Sequence, residues 1–391
     1  MELEFAGVKF KNPFVVASSP LTSKIELLKM AEDHGAAAVS TKLTFIKQPF
    51  YGKLRMYNSP KEASIICYDR RLDLEEGLEL VRQAKEQTEL KIFVNITSDS
   101  GDLESWQRLA REHEEAGADL IEANLICPNV GLATKSIKGA DAVSSTEHGG
   151  AVTGQDPVLV KQVVSALKAV VKIPVVAKLT PNVTDIAVIA RACQEAGADG
   201  VCLAGGQSSL PPVDIYHEGR PCYELLNGAS HGSLGGPATK LISFSQVAQV
   251  AMKTDLPIIG GGGLGNVEDA IMMMMWGATL VTYCTSIMWY GWEVVRRTVA
   301  GIEKYMQDMG YSDYRQIIGK SLQYLRPSSE LEAVPGYPRI APDKCNGCGR
   351  CALPGHCQAI TIIDHKAVVQ AEKCLGCGIC KQLCTRKAIS F

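Results

Sequence analysis

From Phe14 to about residue 308, short β-rich runs, most of them continuously apolar, alternate with longer stretches whose apolar positions recur every three or four residues. The short runs read as strands: "FVVAS" (14–18), "AAAVSTK" (36–42), "KIFVNI" (91–96), "ADLIEAN" (118–124), "IPVVAKL" (173–179), "ADGVCLAG" (198–205), "LPIIGGG" (256–262) and "ATLVTYC" (278–284). The stretches between them, such as "SWQRLAREHEEAGA" and "IAVIARACQEAGA", read as amphipathic helices. Both end on Ala-Gly-Ala, a glycine stop ahead of the next strand. Strands apolar on both faces belong in a parallel sheet covered on both sides. Eight strand–helix repeats over residues 1–308 predict an α/β fold, the closed (β/α)8 TIM barrel. An open doubly wound sheet is the runner-up, but it has no need of eight regular repeats.

The rhythm stops after residue 308. Residues 309–340, with "RPSSELEAVPGYPRIAP", read as an extended linker, and residues 341–391 as a compact cysteine-rich module. Eight of the 14 cysteines lie there. With 46% hydrophobic and 21% charged residues and a net charge of -2, the composition is that of a globular protein. It offers no electrostatic reason for a nucleic-acid or anionic-membrane partner. The start "MELEFAGVKF" lacks the basic end and apolar run of a signal peptide. The most apolar segment, "AIMMMMWGATLVTYCTSIMWY", contains Gly277 and reads as a buried helix and strand, not a membrane span. A reducing, cytoplasmic setting is expected, with the tail cysteines holding metal.

In the tail, "CNGCGRCALPGHC" carries Cys345, Cys348, Cys351 and Cys357, and "CLGCGICKQLC" carries Cys374, Cys377, Cys380 and Cys384. A C-x2-C-x2-C run places three thiolates around one cubane, while the distant fourth cysteine ligates the other cluster. The spacing therefore predicts a bacterial-type 2[4Fe–4S] ferredoxin domain. One cluster is assigned to Cys345, Cys348, Cys351 and Cys384, the other to Cys374, Cys377, Cys380 and Cys357. Zinc sites more often use two separated C-x2-C pairs. Two features depart from the usual spacing: Thr385 stands where proline usually follows the fourth cysteine, and five residues separate Cys351 from Cys357.

One-electron carriers beside a barrel call for a cofactor that converts single electrons to hydrides, which flavin does. Barrels of this kind hold phosphate in the loops after strands seven and eight. Those loops contain "GGGGLGNVEDA", with Gly260 to Gly263, and "YCTSIM", with Cys284 and Thr285; upstream, "HGSLGGPATK" adds Gly235 and Gly236. Lys42 and Lys178 end strands at the same face. A lysine in an apolar strand needs an anionic partner, a role suited to reduced flavin.

Together "NPFVVASSP", "EANLICPN", "VVAKLTPNVTDI" and the tail motifs resemble the dihydroorotate dehydrogenase–dihydropyrimidine dehydrogenase superfamily, over nearly the whole chain. The resemblance implies FMN held around Ala17, Ser18, Lys42, Asn95, Asn124, Lys178, Gly205, Gly235, Gly236, Gly262, Gly263, Cys284 and Thr285. It makes Cys127, in Asn124-Leu125-Ile126-Cys127-Pro128, the acid/base. A thiol with an ordinary pKa of about 8.5 stays protonated near neutral pH and can protonate a carbon while a hydride arrives at its neighbour. Asn124, Asn129 and Gly206 would face the substrate, and His148 is a weaker candidate. Cys67, Cys193, Cys202 and Cys222 match no motif and read as small buried hydrophobes.

The implied reaction is reduction or formation of a C=C bond conjugated to a carbonyl in a cyclic substrate, uracil or thymine first. The electrons would come from an FAD/NAD-binding partner subunit or a soluble donor, and a homo-oligomer is expected. The alternatives are a reductase of another unsaturated carbonyl compound and an electron-transfer subunit without turnover, against which Cys127, Lys42 and Lys178 argue. Three features depart from the pyrimidine enzymes, which place serine before the catalytic cysteine and Asn-Thr at the end of strand six. Here Ile126 and Gly205-Gly206 stand at those positions, and the segment from Pro128 to Thr153 is about twice the expected length.

Overall fold

The computed structural model describes residues 2–49, 52–127 and 149–391. The chain divides into two compact units, Met1–Tyr324 and Leu325–Phe391.

In the first unit, eight parallel strands form a closed barrel: β1 Phe14–Val16, β2 Ala38–Ser40, β3 Lys91–Ile96, β4 Leu120–Leu125, β5 Val175–Leu179, β6 Gly200–Leu203, β7 Ile258–Gly261 and β8 Leu280–Tyr283. Each pairs with the next in chain order, and β8 returns to β1 with Val281, Thr282 and Tyr283 opposite Phe14, Val15 and Val16. All eight fall on the predicted runs. The (β/α)8 expectation holds and the doubly wound alternative does not.

The barrel helices are α1 Ile25–Asp33, α2 Leu74–Gln87, α3 Leu103–Glu115, α4 Pro157–Lys168, α5 Ile186–Glu195, α6 Lys240–Ala251, α7 Val267–Met275 and α8 Glu293–Asp308. Asp102, Asp156, Asp185 and Asn266 cap α3, α4, α5 and α7 by accepting from first-turn N–H groups. The two Ala-Gly-Ala stops end α3 and α5, with Gly117 and Gly197 in the left-handed region at φ 102° and 83°. The apolar segment near Gly277 forms α7 and β8. Among the described residues, no helix is long and apolar enough to cross a membrane.

The two ends of the barrel differ. At the N-terminal end, the hairpin Leu3–Phe5 and Val8–Phe10 plugs the floor, with Phe10 edge-on to Phe93 at 5.8 Å. At the C-terminal end two connections leave the strands as long excursions. The β2–α2 excursion contributes Arg55–Ser59 and Ala63–Tyr68; the β6–α6 excursion contributes Ser208–Ser209 and Gly232–Gly235. These four strands join in one antiparallel sheet with its own small core of Ile65, Cys67 and Tyr223.

The expected linker needs correcting. Residues 309–324 belong to the barrel unit, where Tyr314 and Ile317 are fully buried in the main core. The N–H groups of Gly319 and Ser321 donate to the carbonyls of Met274 and Met275 at the end of α7. The second unit begins at Leu325 and consists of two small antiparallel pairs, Arg339–Ile340 with Ile389–Ser390 and Ile360–Ile363 with Lys366–Val369, and the helix Ile379–Leu383. Its core is Ile360, Ala367, Cys380 and Ile389.

His113 on α3 is fully buried; its Nδ1–H donates to the Leu109 carbonyl at 2.7 Å, and Nε2 has no partner. Burial pulls its pKa from 6.5 down to about 4. The folded state keeps it neutral, while the unfolded chain protonates it near pH 6.5. Stability is therefore greatest above that value and falls with pH through to about 4, by roughly 3 kcal/mol from this group. Denaturation midpoints measured from pH 7 to pH 4 should drop more steeply for the native chain than for His113→Gln. Parallel curves would reject the assignment.

Candidate functional site

The interior of the barrel carries a carboxylate. Glu122 and Asn124 alternate with apolar neighbours on β4 and so share a face, and Asn124 pairs in register with Lys178 on β5. Glu122 accepts from the Ser40 hydroxyl at 2.5 Å, from the Asn95 amide, and from Lys178 Nζ at 3.3 Å. Glu122 and Lys178 are each 5% or less exposed. Burial alone would raise the Glu122 pKa, yet the Lys178 charge and the Ser40 and Asn95 hydrogen bonds hold it below the ordinary value. Burial likewise pulls Lys178 down, and the Glu122 charge more than offsets it. Both groups are thus ionised. Asn95 also accepts from Asn124 Nδ2 at 2.9 Å, and Asn124 Oδ1 accepts from the Ile126 and Cys127 N–H groups at 3.3 and 3.2 Å. One chain of hydrogen bonds runs from the ion pair to the turn that carries Cys127.

A second charged group lies beside it. Lys42 donates to Asp69, whose carboxylate also faces Arg71 Nη1 at 3.4 Å. Arg71 Nη2 sits 3.9 Å from Cys127 Sγ, and Cys127 packs against Leu43 and Phe45. Burial, followed by the nearby Arg71 charge, lowers the Lys42 pKa to about 8 despite Asp69. The thiols of Cys202 and Cys284 are pushed up by burial, so they stay protonated.

Above these groups is a cavity lined by Ala17, Ser18, Lys42, Asn124, Cys127, Lys178, Gly205, Gly206, Gly235, Gly236, Gly262, Gly263, Cys284 and Thr285. Ser64, Ile66, Ser233 and Leu234 of the antiparallel sheet wall it in, and Asp69, Arg71 and Ile126 complete the part near Cys127. The glycines pack too tightly for side chains. A Cβ on Gly235 would lie 2.7 Å from Thr285 Oγ1, and one on Gly263 would lie 2.6 Å from the Lys240 N atom opening α6. Gly236, Gly262 and Gly263 are also in the left-handed region, at φ 79°, 94° and 76°. Bare backbone N–H groups at a helix start suit a phosphate, and the lysines below suit an electron-rich ring.

In the tail unit the eight cysteines surround two voids. Cys345, Cys348, Cys351 and Cys384 ring one, and Cys357, Cys374, Cys377 and Cys380 ring the other, where Cys351 also touches the edge. Backbone N–H groups of Ala367, Gly376 and Ala388 donate to the sulfurs of Cys345, Cys374 and Cys384 at 3.5, 3.4 and 3.3 Å. His356 Nε2 lies 3.2 Å from Cys377 Sγ. Among the described residues, no three His, Cys, Asp or Glu side chains converge closely enough to hold a single metal ion.

The family model for dihydroorotate dehydrogenase matches residues 1–306. The chain belongs to that family. Its members are oxidoreductases acting on CH–CH bonds. The NAD-dependent dihydropyrimidine dehydrogenase subunit PreA of Escherichia coli K12 is 32% identical over 366 residues, 90% of this chain and 84% of that one. The catalytic subunit of dihydroorotate dehydrogenase B (NAD(+)) of Pyrococcus furiosus is 34% identical over 326 residues, 82% of this chain and 98% of that one. The corresponding subunit of Pyrococcus abyssi is 33% identical, covering 83% and 99%. The Escherichia coli match covers more than residues 1–324 alone supply, so the likeness reaches into the tail.

The cavity brings together every family-implied residue except Asn95 and Asn129. Asn95 is fully buried beneath the lining and holds Asn124 and Glu122. Asn129 and His148 lie outside the described residues. Sequence reasoning left Lys42 and Lys178 to be neutralised by a flavin; Asp69 and Glu122 are the anions beside them. Glu122 was legible in principle, as a carboxylate in a predicted buried strand two positions from Asn124. Asp69 and Arg71 had only the charge-rich "YDRRLD" to mark them.

Removing one partner of a buried ion pair strands the other charge. Glu122→Gln should cost roughly 3–5 kcal/mol in denaturant unfolding of the barrel at neutral pH, and Glu122→Met with Lys178→Met should recover most of it. A Glu122→Gln loss below about 1 kcal/mol would rule out the pair as described.

Proposed function

We propose that this protein is an FMN- and iron–sulfur-dependent reductase of a C=C bond conjugated to a carbonyl in a cyclic substrate. The observation that carries the reading is the meeting, in one cavity, of a glycine cradle, two buried lysines and the Cys127 thiol. FMN, when bound, takes electrons singly and gives them up as a hydride. Gly235, Gly236, Gly262, Gly263 and Thr285 would hold its phosphate end, and Lys42 and Lys178 would favour negative charge on its ring. The two cysteine rings would hold [4Fe–4S] clusters, which the N–H groups donating to sulfur favour in their more reduced state. The word "subunit" in the relatives' names, with their NAD dependence, supports a partner or soluble donor feeding those rings.

The chain's own residues supply the proton. Cys127 Sγ donates to the carbon next to the carbonyl as the hydride reaches the far carbon of the double bond. The Arg71 guanidinium lies 3.9 Å from the sulfur that gives up the proton. Asn124 fixes the turn, and the sheet bearing Ile66 and Leu234 keeps water from the site. The likeness to the dihydropyrimidine dehydrogenase subunit supports a reaction of this class.

Prepared without oxygen, the protein should show flavin absorption and about eight irons per chain. Zinc in place of iron would reject the cluster assignment. Chemically reduced and mixed anaerobically with unsaturated carbonyl compounds, its flavin should reoxidise. Cys127→Ala should leave flavin reduction intact and slow that reoxidation 10²–10⁴-fold. An unchanged rate would remove Cys127 from the mechanism, and no reoxidation by any compound would favour an electron-transfer role.

A further inference from the structure

Ile126 precedes Cys127, and its side chain crosses to the end of β6. A Cβ on Gly205 would land on Ile126 Cδ1 and lie 2.6 Å from its Cγ1, with Pro181 Cδ at 3.6 Å. The isoleucine is admitted because position 205 has no side chain, so the two residues form one surface. Position 206 is closed as well, since a Cβ there would strike the Leu234 carbonyl. Among the described residues, the side-chain amide lining the cavity beside this wall is that of Asn124, and it is committed. Its oxygen accepts two backbone N–H groups and its nitrogen donates to Asn95. Ile126 and Gly205 both line the cavity with Cys127.

We propose that this wall selects a hydrocarbon edge, and that the substrate is a carbocyclic or alkyl-substituted conjugated carbonyl compound, not a pyrimidine base. Turned toward Ile126 and the bare α-carbon of Gly205, a ring N–H or C=O gives up its water and meets carbon, whereas a CH2 group loses nothing; the Ser233 hydroxyl lies at the other end of the wall, beside Gly206. The proposal rests on the reaction above, in which a hydride and the Cys127 proton add across the double bond and the reduced flavin is oxidised by two electrons.

The test uses the holoenzyme, reduced anaerobically and mixed with 2-cyclohexen-1-one or with uracil. Cyclohexenone should reoxidise the flavin at least tenfold faster. Ile126→Ser with Gly205→Asn should shift that preference at least tenfold toward uracil, with each rate taken per bound flavin. Gly205→Ala alone should lose cyclohexenone-driven reoxidation at least tenfold, and adding Ile126→Ala should restore it. A native preference for uracil, or a Gly205→Ala variant as fast as the native protein, would overturn the wall's role. If neither compound reoxidises a bound, reducible flavin, the reaction itself fails and the proposal with it, a result distinct from a reversed preference. Should the serine–asparagine variant fail to fold, Ile126→Ala alone should still narrow the preference, and an unchanged preference would count against the proposal.

Discussion

Glu122 and Lys178 face each other at 3.3 Å inside the barrel, in a setting where neither charge is tolerated alone. Such a pair adds little net stability compared with two packed hydrophobes, because desolvating both ions consumes most of the attraction. What it does add is constraint. The carboxylate needs Ser40 from β2, Asn95 from β3 and Lys178 from β5 at once, so four adjacent strands must hold one register for the charge to be satisfied. The amide chain Asn95–Asn124 then carries that register to the backbone of Ile126 and Cys127. The acid/base candidate is thus positioned from beneath, by the barrel interior.

The upper half of the site is held differently. Two excursions from non-adjacent strands, β2 and β6, pair with each other as an antiparallel sheet and bring Ser64, Ile66, Ser233 and Leu234 to the cavity. The β2 excursion also carries Asp69 and Arg71 to Lys42 and Cys127. Any change in how this sheet sits therefore alters the charge around the thiol and the closure over it together. The N-terminal end, plugged by a phenylalanine-bearing hairpin, has no such freedom, and the division between a stable floor and a chemical mouth follows.

How far this was legible in sequence depended on whether the signal was local. The eight strands were, because most are apolar on both faces, and so were the helix stops at Gly117 and Gly197. The boundary at residue 308 was not. Tyr314 and Ile317 lie in "YSDYRQIIGKS", which has neither strand nor helix periodicity, and only the core they fill shows that they belong to the barrel. The lysines were read as needing an anion, but the anions come from another strand in one case and from an irregular excursion in the other. Ile126 and Gly205 were visible as two departures from the family pattern. They are one substitution in space, since the side chain gained at 126 fills the room vacated at 205.

The tail poses the opposite balance between fold and function. Its core amounts to Ile360, Ala367, Cys380 and Ile389, and one of those four is itself a proposed ligand. A unit so small is not held by apolar burial alone and needs a covalent or metal staple. Both cysteine motifs turn on left-handed glycines, Gly347 and Gly349 in the first and Gly376 and Gly378 in the second, which leave backbone N–H groups free to face sulfur. If the rings hold clusters as proposed, the same thiolates set both the fold of this unit and the potential at which it passes electrons. Its stability and its redox chemistry would then answer to the same bonds, whereas in the barrel the core persists whatever the cavity holds.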